Sequence, residues 1–379
     1  MTSPVQTEPD TVTRTYASYS RPVWQRILLT RELAIIALLA AVYLYSTGNI
    51  DNFDNPLTLY YLFLDTAPIL LIALPMTLII ITGEIDLSVA SVVGLSSVLV
   101  GILHQDAGLS IPVAAVVAIA IGAVAGAFNG FLVAYVGLPS LAVTIGTLAL
   151  YRGIAVGLLG TTAVTDFPEK WTDLAKDRLG SDTSSYPVIL VPFAVLLVLF
   201  ALLLHFSPFG RGIVEIGLND EAAHFTGVNV ARTKLTLFVL AGAVSAFAGV
   251  YYTLRYGSAR GDNASGLELQ VIAAVLLGGV SIFGGRGALH GVVAGVLLIG
   301  VISSAMRLDG QTVNVINIVI GVLLVLSVMS TSLLAWVSSL RSARTGARGP
   351  SAPPPAPSPA PTPNHPSSTF SSTTERQHP

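Results

Sequence analysis

The sequence predicts an all-α protein that crosses a membrane many times, and two observations carry that prediction. Hydrophobic residues make up 53% of the 379 residues and charged residues only 11%, with a mean hydropathy of +0.74. A soluble domain of this composition would expose far too much apolar surface. The apolar residues are also gathered into segments of about 20, the length that a helix needs to cross roughly 30 Å of hydrocarbon.

About ten such segments occur along the chain, separated by polar or glycine-rich stretches. They lie near residues 30–48, 57–82, 86–103, 110–136, 140–161, 187–206, 233–256, 267–285, 289–306 and 313–337. The gap between the eighth and ninth segments, at residues 286–288, is so short that a tight hairpin is predicted there.

Arginine clusters set the predicted orientation, because short cytoplasmic loops retain Arg and Lys. One cluster precedes the first segment, within residues 14–26, and another follows the last, within residues 341–348. The loops at 49–56 and 162–186 carry more acidic than basic residues and are predicted to lie outside. Both termini are therefore predicted to be cytoplasmic, which requires an even number of crossings and agrees with ten.

The two ends of the chain differ in composition from the ten-span domain, residues 30–337. Residues 1–29 are polar and lack the features of a cleaved signal peptide, so a cytoplasmic N-terminal segment is predicted. Residues 338–379 are rich in Pro, Ser and Thr and have too few large apolar residues to form a core. A disordered cytoplasmic tail is predicted there.

Two pieces of sequence recur in the halves of the apolar domain. Residues 85–92 are similar to residues 267–274, and the pair Gly122 and Gly126 corresponds to Gly291 and Gly295. In the predicted orientation the first copy enters from the cytoplasm and the second from outside. This pattern predicts an inverted repeat of spans two to five with spans seven to ten, with chance similarity among apolar segments as the alternative.

Ionisable residues inside apolar segments are costly and each suggests a function or a buried pair. Asp65 and Arg152 lie at similar distances from the outer ends of spans two and five, so an Asp65–Arg152 pair is predicted from the helical rise. Pro68 and Pro75 are expected to break the hydrogen bonding of span two, and residues 82–86 form an acidic interruption. Such segments belong around a cavity or a subunit contact.

Five uncharged polar residues in the spans could offer hydrogen bonds to a polar solute. They are Asn129, Thr144, Thr147, Asn314 and Asn317. Asn and Thr also join helices to one another, so a translocation path and a purely structural role are both open.

The longest charged loop between two apolar segments, residues 207–232, contains a short predicted surface helix. Asn219 is a good N-cap, Asp220 and Glu221 suit the positive first turn, and Gly227 is placed to end the helix. The simplest interpretation is a capped helix that joins two spans.

A second interpretation of this loop comes from resemblance. Glu221, Ala222 and Ala223, followed after three residues by Gly227, resemble the Glu-Ala-Ala loop of ABC importer permeases. In those proteins the loop forms a coupling helix that docks into the ATPase subunit. The Ile-x-Leu-Pro that usually follows is not matched, because residues 237–240 read Leu-Phe-Val-Leu.

Further blocks resemble one class of these permeases, the importers of ribose, arabinose and xylose, over roughly residues 30–335. The first block, residues 81–89, includes Gly83, Asp86, Leu87 and Ser88. The next are residues 138–147 and 151–153, then the Glu-Ala-Ala loop, and finally residues 278–287 with Gly284 and Gly285. The resemblance implies a permease subunit in a bacterial cytoplasmic membrane that translocates a monosaccharide.

The same resemblance implies partners. They are a second permease subunit, identical or different, two cytoplasmic ATPase domains and an extracytoplasmic sugar-binding protein. The sequence lacks the Gly-x4-Gly-Lys-Ser/Thr phosphate loop, so ATP and Mg²⁺ are expected on a separate ATPase chain and this chain is not expected to be an enzyme. With no cysteine and scattered histidines, no metal site or other cofactor is expected, nor is a nucleic-acid partner.

Other functions stay open at this level. An ion-coupled secondary transporter of a small polar solute would also favour inverted repeats and broken helices, and a branched-chain amino acid ABC permease has a related architecture. An intramembrane enzyme lacks a nucleophile or metal constellation. The sequence does not choose the solute.

Overall fold

The computed structural model describes residues 31–327 and 329, and these residues are mostly helical. In chain order the helices are α1 (Arg31–Asn49), α2 (Pro56–Ile81), α3 (Val89–Gln105), α4 (Ile111–Ala134), α5 (Ser140–Leu159), α6 (Glu169–Lys176), α7 (Leu190–Phe206), α8 (Pro208–Leu218), α9 (Asp220–Phe225), α10 (Val230–Tyr256), α11 (Leu267–Leu277), α12 (Leu289–Leu308) and α13 (Val313–Ser327). Extended pairing within this part of the chain is limited to isolated bridges. The predicted all-α class is confirmed.

Six of the described helices are long and apolar enough to cross a membrane: α1, α2, α4, α5, α10 and α12. The pair α7 and α8, bent by 69°, would make a seventh, and α3, α11 and α13 are apolar but shorter. Each of the ten predicted segments contains one of these apolar helices. Helix length supports a polytopic membrane protein, while the count of ten crossings stays a prediction.

Helix α2 is the centre of the fold. Asn55 caps its N-terminus by accepting a hydrogen bond from the Leu57 amide at 2.9 Å, and Pro56 occupies the first turn. Apart from Asp65 and a few hydroxyl groups its side chains are apolar on all sides, and 94% of its most apolar 18 residues are buried. A helix that is hydrophobic all round is stable only inside a protein, and α2 packs against α7, α10, α11 and α12.

The two prolines lie inside a continuous α2, so the predicted loss of hydrogen bonding occurs without ending the helix. Pro68 has no amide hydrogen, so the Leu64 carbonyl loses its normal partner four residues on. The Tyr251 hydroxyl, at 3.3 Å, and the Arg255 Nη1, at 2.6 Å, donate to that carbonyl instead. Helix α10 thus replaces the hydrogen bond that Pro68 removes.

The predicted hairpin between the eighth and ninth segments has a longer connection than the sequence suggests. Helix α11 ends at Leu277, and residues 278–288 lead to α12. The two helices pack closely and antiparallel: a side chain at Gly291 would overlap the Gly278 carbonyl, and one at Gly295, further along α12, would overlap the Ala274 carbonyl, further back along α11. The hairpin is confirmed, but the predicted helix is too long by about eight residues.

The two glycine pairs of the predicted inverted repeat meet different neighbours. Gly122 and Gly126 allow α4 to approach Gly242 on α10, whereas Gly291 and Gly295 allow α12 to approach α11. The matched motifs thus do not make equivalent contacts, and the inverted repeat stays a prediction. The predicted terminal segments, 1–29 and 338–379, lie outside the described residues.

Candidate functional site

Helix α9 is a capped surface helix, as the sequence predicts. Asn219 has an extended backbone, and its Oδ1 accepts a hydrogen bond from the Ala222 amide at 2.8 Å. Gly227, with a φ of +90°, lies in the left-handed region two residues after Phe225 ends the helix. These two residues fix the start and the end of α9 locally.

The side chains of α9 are mostly exposed. Asp220, Glu221 and Ala222 lie on the surface, while Ala223 is buried at 2% exposure and packs inward. Phe225 is 82% exposed. The helix therefore presents two carboxylates and a large aromatic ring to whatever lies beyond the surface.

One lysine links α9 to the interruption between α2 and α3. The Lys234 Nζ lies 2.5 Å from the Asp220 Oδ2 and 2.7 Å from the Glu84 Oε1. The lysine side chain is 10% exposed and Glu84 is 16% exposed, whereas Asp220 is 51% exposed, so only the Lys234–Glu84 part of this bridge is largely removed from water. Sequence reasoning missed Lys234; its only signal is that a rare lysine stands at the start of an apolar segment.

The family-motif glycines lie against the helix that precedes α9. A Cβ atom added at Gly217 of α8 would overlap the Ile81 carbonyl and the Gly285 amide. The Gly285 amide donates a hydrogen bond to the Ile81 carbonyl at 2.8 Å. Gly284 and Gly285 both have positive φ, of +82° and +72°. Two blocks that are about 200 residues apart in sequence therefore meet at α8.

The other motif residues hold the α2–α3 interruption together. Asp86, 2% exposed, accepts hydrogen bonds from the Ser88 amide at 2.9 Å and the Ser88 hydroxyl at 2.6 Å. Asn129 donates to the Ser88 Oγ at 2.8 Å and accepts from the Tyr151 hydroxyl at 3.2 Å. Gly83 has a φ of +83°, and Leu87 is partly buried beside this network.

Thr144 and Thr147 also lie in buried contacts. The Thr144 hydroxyl hydrogen-bonds to the carbonyls of Ser140, at 2.8 Å, and Ile85, at 3.2 Å, and the Thr147 hydroxyl reaches the Thr144 carbonyl at 3.4 Å. Asn129 and Thr144 thus join α4 and α5 to the interruption, whereas the Thr147 bond stays within α5. The translocation path through these residues stays a prediction.

A cavity of about 460 Å³, lined by polar and apolar side chains in similar numbers, lies between the first half of α2, the loop after α10, the last half of α12, and α13. Asn317 lines it and Asn314, on the same helix, lies outside the lining, while both side chains are exposed. Helix α10 runs from Lys234 near α9 to Tyr252 in the cavity wall, about 27 Å at 1.5 Å per residue. The cavity and α9 therefore lie at opposite ends of the helices.

The predicted Asp65–Arg152 pair is wrong. The two carboxylate oxygens of Asp65 accept from Arg255 and from Arg307, the latter at 2.7 Å. The Arg255 side chain is only 8% exposed, and that of Asp65 is 30% exposed. Equal depth along two helices does not require that their side chains face each other, and α10 and α12 lie closer to Asp65.

Arg152 binds backbone carbonyls instead of a carboxylate. Its Nη1 donates to the carbonyls of Gly261 and Asn263, both at 2.7 Å, and its Nη2 donates to the Ala90 carbonyl at 3.0 Å. A side chain at Gly94 would overlap this guanidinium. Arg152 thus fixes the loop after α10 against α3.

A second ion pair stands in the loop that borders the cavity. The Arg260 Nε lies 2.9 Å from the Asp262 Oδ1. The hydrogen bond from Arg260 holds the pKa of Asp262 below its ordinary value. The charges of this loop are thus paired with each other.

An all-α membrane protein with a capped surface helix at one end and a partly polar cavity at the other has the architecture of a transport subunit. Residues 58–328 match the family described as branched-chain amino acid transport system / permease component. The chain belongs to this family. The predicted class, a multi-pass permease subunit of an ABC importer, is thereby confirmed.

Similar proteins span nearly the whole chain. The autoinducer 2 import system permease protein LsrD of Yersinia enterocolitica is 35% identical over 309 residues, covering 80% of this chain and 92% of the relative. The proteins of the same name from Yersinia pseudotuberculosis serotype O:1b and Yersinia pestis strain Pestoides F are 33% and 32% identical over 330 residues, covering 83% and 97%. No solved structure matches.

Proposed function

We propose that this chain forms the membrane path of an ATP-driven importer and that a separate ATPase chain docks on α9. The observation that carries the proposal is the Lys234 bridge, which ties the exposed, capped helix to the interrupted segment after α2. Membership of a permease-component family favours this function over an ion-coupled transporter, because a component works with other chains.

The proposed complex contains a second permease subunit, identical or different, two cytoplasmic ATPase domains and an extracytoplasmic binding protein. ATP and Mg²⁺ bind to the ATPase. Since ATP is cytoplasmic, α9 faces the cytoplasm, and both termini lie on that side of a bacterial cytoplasmic membrane. The cavity, at the opposite end of α10, then faces outward.

Two solute classes have specific support. The hydroxyl, amide and charged groups of the cavity wall favour a monosaccharide or a similar hydroxylated solute, and the names of the relatives give autoinducer 2 as what they import. The family description instead names branched-chain amino acids. The first class is our choice, because about half of the cavity wall consists of hydroxyl, amide and charged groups, to which a hydroxylated solute can hydrogen-bond.

Coupling in this proposal is mechanical. When the ATPase closes, it moves α9, and the Asp220–Lys234–Glu84 bridge carries the movement to residues 82–88. Gly217, packed against Ile81 and Gly285, carries the same movement to the end of α2 and to the loop after α11. Because α2 also forms the cavity wall, the two ends of the protein respond together.

Glu221→Lys tests the docking assignment. It reverses an exposed charge in the first turn of α9, at a cost to the helix of only about 0.5–1 kcal/mol, so the protein should still insert. We expect ATP-driven uptake to fall close to background and the ATPase to be lost on purification. The matched control is Glu169→Lys, the same change in the first turn of α6, which should leave both unchanged. Normal uptake and a normally bound ATPase in Glu221→Lys would refute the proposal.

A further inference from the structure

We infer, resting on the function proposed above, that the ATPase holds this chain at a second place besides α9, the loop of residues 278–288 between α11 and α12. Phe283 carries this contact and inserts into an apolar pocket of the ATPase. The ATPase thus grips α9 and the α11–α12 loop together.

The α11–α12 loop has a fixed shape of its own. The Gly284 amide donates to the Ser281 carbonyl at 3.0 Å, and the Ser281 amide donates to the Arg286 carbonyl at 2.9 Å, which closes a tight turn. The Gly285 amide joins this turn to the Ile81 carbonyl at the end of α2. Gly284 and Gly285 both have positive φ, which residues with a Cβ atom rarely adopt. The backbone of the loop is therefore held in place before any partner binds.

Phe283 lies in this turn and faces away from the protein. It is 76% exposed, whereas Val280 and Ile282 on either side pack against the core. A turn with a fixed backbone thus presents a large apolar ring to the surroundings. Buried aromatic rings are common anchors of protein interfaces, because one ring fills a pocket and removes much apolar surface from water.

Phe283 belongs to a group of exposed apolar residues beside α9. Leu218, at the end of α8, is 67% exposed, and a Cβ atom added at Gly285 would overlap its side chain. Phe283 is two residues from Gly285, at most about 7 Å along the chain. Phe225, on α9 itself, is 82% exposed. Single exposed apolar residues are normal on a surface, but several around one short helix mark a contact with another molecule.

Charged groups place the loop outside the hydrocarbon of the membrane. Ile81, to which the loop is bonded, is followed three residues later by Glu84, which is paired with Lys234. Arg286, in the loop itself, is exposed. Ionisable groups are costly in hydrocarbon, so the molecule that covers Phe283 is a protein on the aqueous side and not a lipid chain.

The small size of α9 makes the ATPase that protein. A stable protein interface covers about 800 Å² on each partner. Helix α9 has six residues and is only about 9 Å long, so it cannot supply such an area alone. An ATPase docked on α9 must also touch the elements beside it. The α11–α12 loop is one of them, because Gly284 and Gly285 lie against the end of α8 that leads into α9.

The first test measures how tightly the ATPase binds. The ATPase that co-purifies with the unchanged permease is separated and titrated onto each purified variant in detergent. Phe283→Ala should raise the Kd about thirtyfold, the effect of losing an aromatic anchor. Phe283→Leu, which keeps an apolar side chain, should raise it much less. Thermal unfolding of both variants should match that of the unchanged permease, because the ring is outside the core.

Phe206→Ala is the matched control. It removes a ring that is 78% exposed at the other end of α8, about 15 Å from Leu218. Its Kd for the ATPase should stay unchanged. Equal losses of binding in Phe206→Ala and Phe283→Ala would refute the contact.

A second test identifies what covers Phe283, and the absence of cysteine from the chain makes it possible. In membrane vesicles with the cytoplasmic side outward, Phe283→Cys should react with a membrane-impermeant maleimide, and bound ATPase should prevent this reaction. With a short thiol-reactive cross-linker, Phe283→Cys should capture a chain with a Gly-x4-Gly-Lys-Ser/Thr phosphate loop. Phe206→Cys should show neither protection nor capture.

The outcomes separate this inference from the function proposed above. Capture of the ATPase from His224→Cys but not from Phe283→Cys would keep the docking on α9 and refute the second contact. Capture from Phe283→Cys but not from His224→Cys would do the reverse. No reaction of Phe283→Cys with the maleimide in the absence of ATPase would assign the ring to the lipid, and capture of another permease chain would assign the loop to an interface between permeases. Either result would overturn the inference.

Discussion

Arg255→Gln is expected to lower the free energy of unfolding by about 3–5 kcal/mol, the cost of breaking a buried ion pair. Arg255 donates both to the Asp65 carboxylate and to the Leu64 carbonyl that Pro68 leaves without a helical partner. Its loss would leave Asp65 with only the exposed Arg307, and the Leu64 carbonyl with only the longer hydrogen bond from Tyr251. Thermal unfolding of the purified protein in detergent, with the yield of folded material, measures the effect.

The matched control is Arg307→Gln, which removes the other partner of Asp65. The Arg307 side chain is 61% exposed, so its loss should cost about 1 kcal/mol or less. The double variant Asp65→Asn with Arg255→Gln should recover part of the loss, but not all, because the Leu64 carbonyl keeps only the longer hydrogen bond from Tyr251. Equal losses from the two arginines, or no coupling to Asp65, would contradict this assignment.

Gly217→Val is expected to have the second large effect. Any side chain at Gly217 would overlap the Ile81 carbonyl and the Gly285 amide, which are backbone atoms that cannot move aside alone. Helix α8 would have to separate from α2, and the Gly285 N to Ile81 O hydrogen bond of 2.8 Å would be lost. Overpacking of this kind costs about 3 kcal/mol or more when backbone must shift.

We expect Gly217→Val to give little folded complex, or a complex whose ATP hydrolysis no longer drives uptake. Gly153→Ala is the control, because open space surrounds this helical glycine of α5. That change should be neutral or stabilise the helix by about 0.5–1 kcal/mol. Normal uptake by Gly217→Val would show that α8 does not pack tightly on α2 in the working protein.

Local signals predicted α9 correctly. Asn219 and Gly227 act through their own backbone and neighbouring amides, so their effect can be inferred from a few adjacent residues. Hydropathy likewise located the apolar helices, because crossing a bilayer depends on composition over about 20 residues. The prediction placed the end of α11 too late, because hydropathy stays high into the glycine-rich stretch that starts at residue 278, where the helix ends.

The tertiary partners could not be predicted in the same way. The helical rise gives the depth of Asp65 and Arg152 but not the side of the helix on which each lies, so their equal depth was misleading. Lys234 meets Glu84 from 150 residues away in sequence, and only the packing of α10 beside α2 brings them together. Tertiary packing also separates Asn129 from Asn317. Both are asparagines in apolar segments, but Asn129 is buried between helices and Asn317 lines the cavity.

The docking of an ATPase on α9 is the central claim, and a site-directed cross-link tests it most directly. A single cysteine at His224 on the exposed face of α9 is joined to its neighbours with a short thiol-reactive cross-linker in membranes, and the product is identified by mass spectrometry. Asp51→Cys, in the exposed loop between α1 and α2, is the control. We predict that His224→Cys captures a chain with a Gly-x4-Gly-Lys-Ser/Thr phosphate loop and that Asp51→Cys does not. Capture of that ATPase from Asp51 and not from His224 would contradict the account.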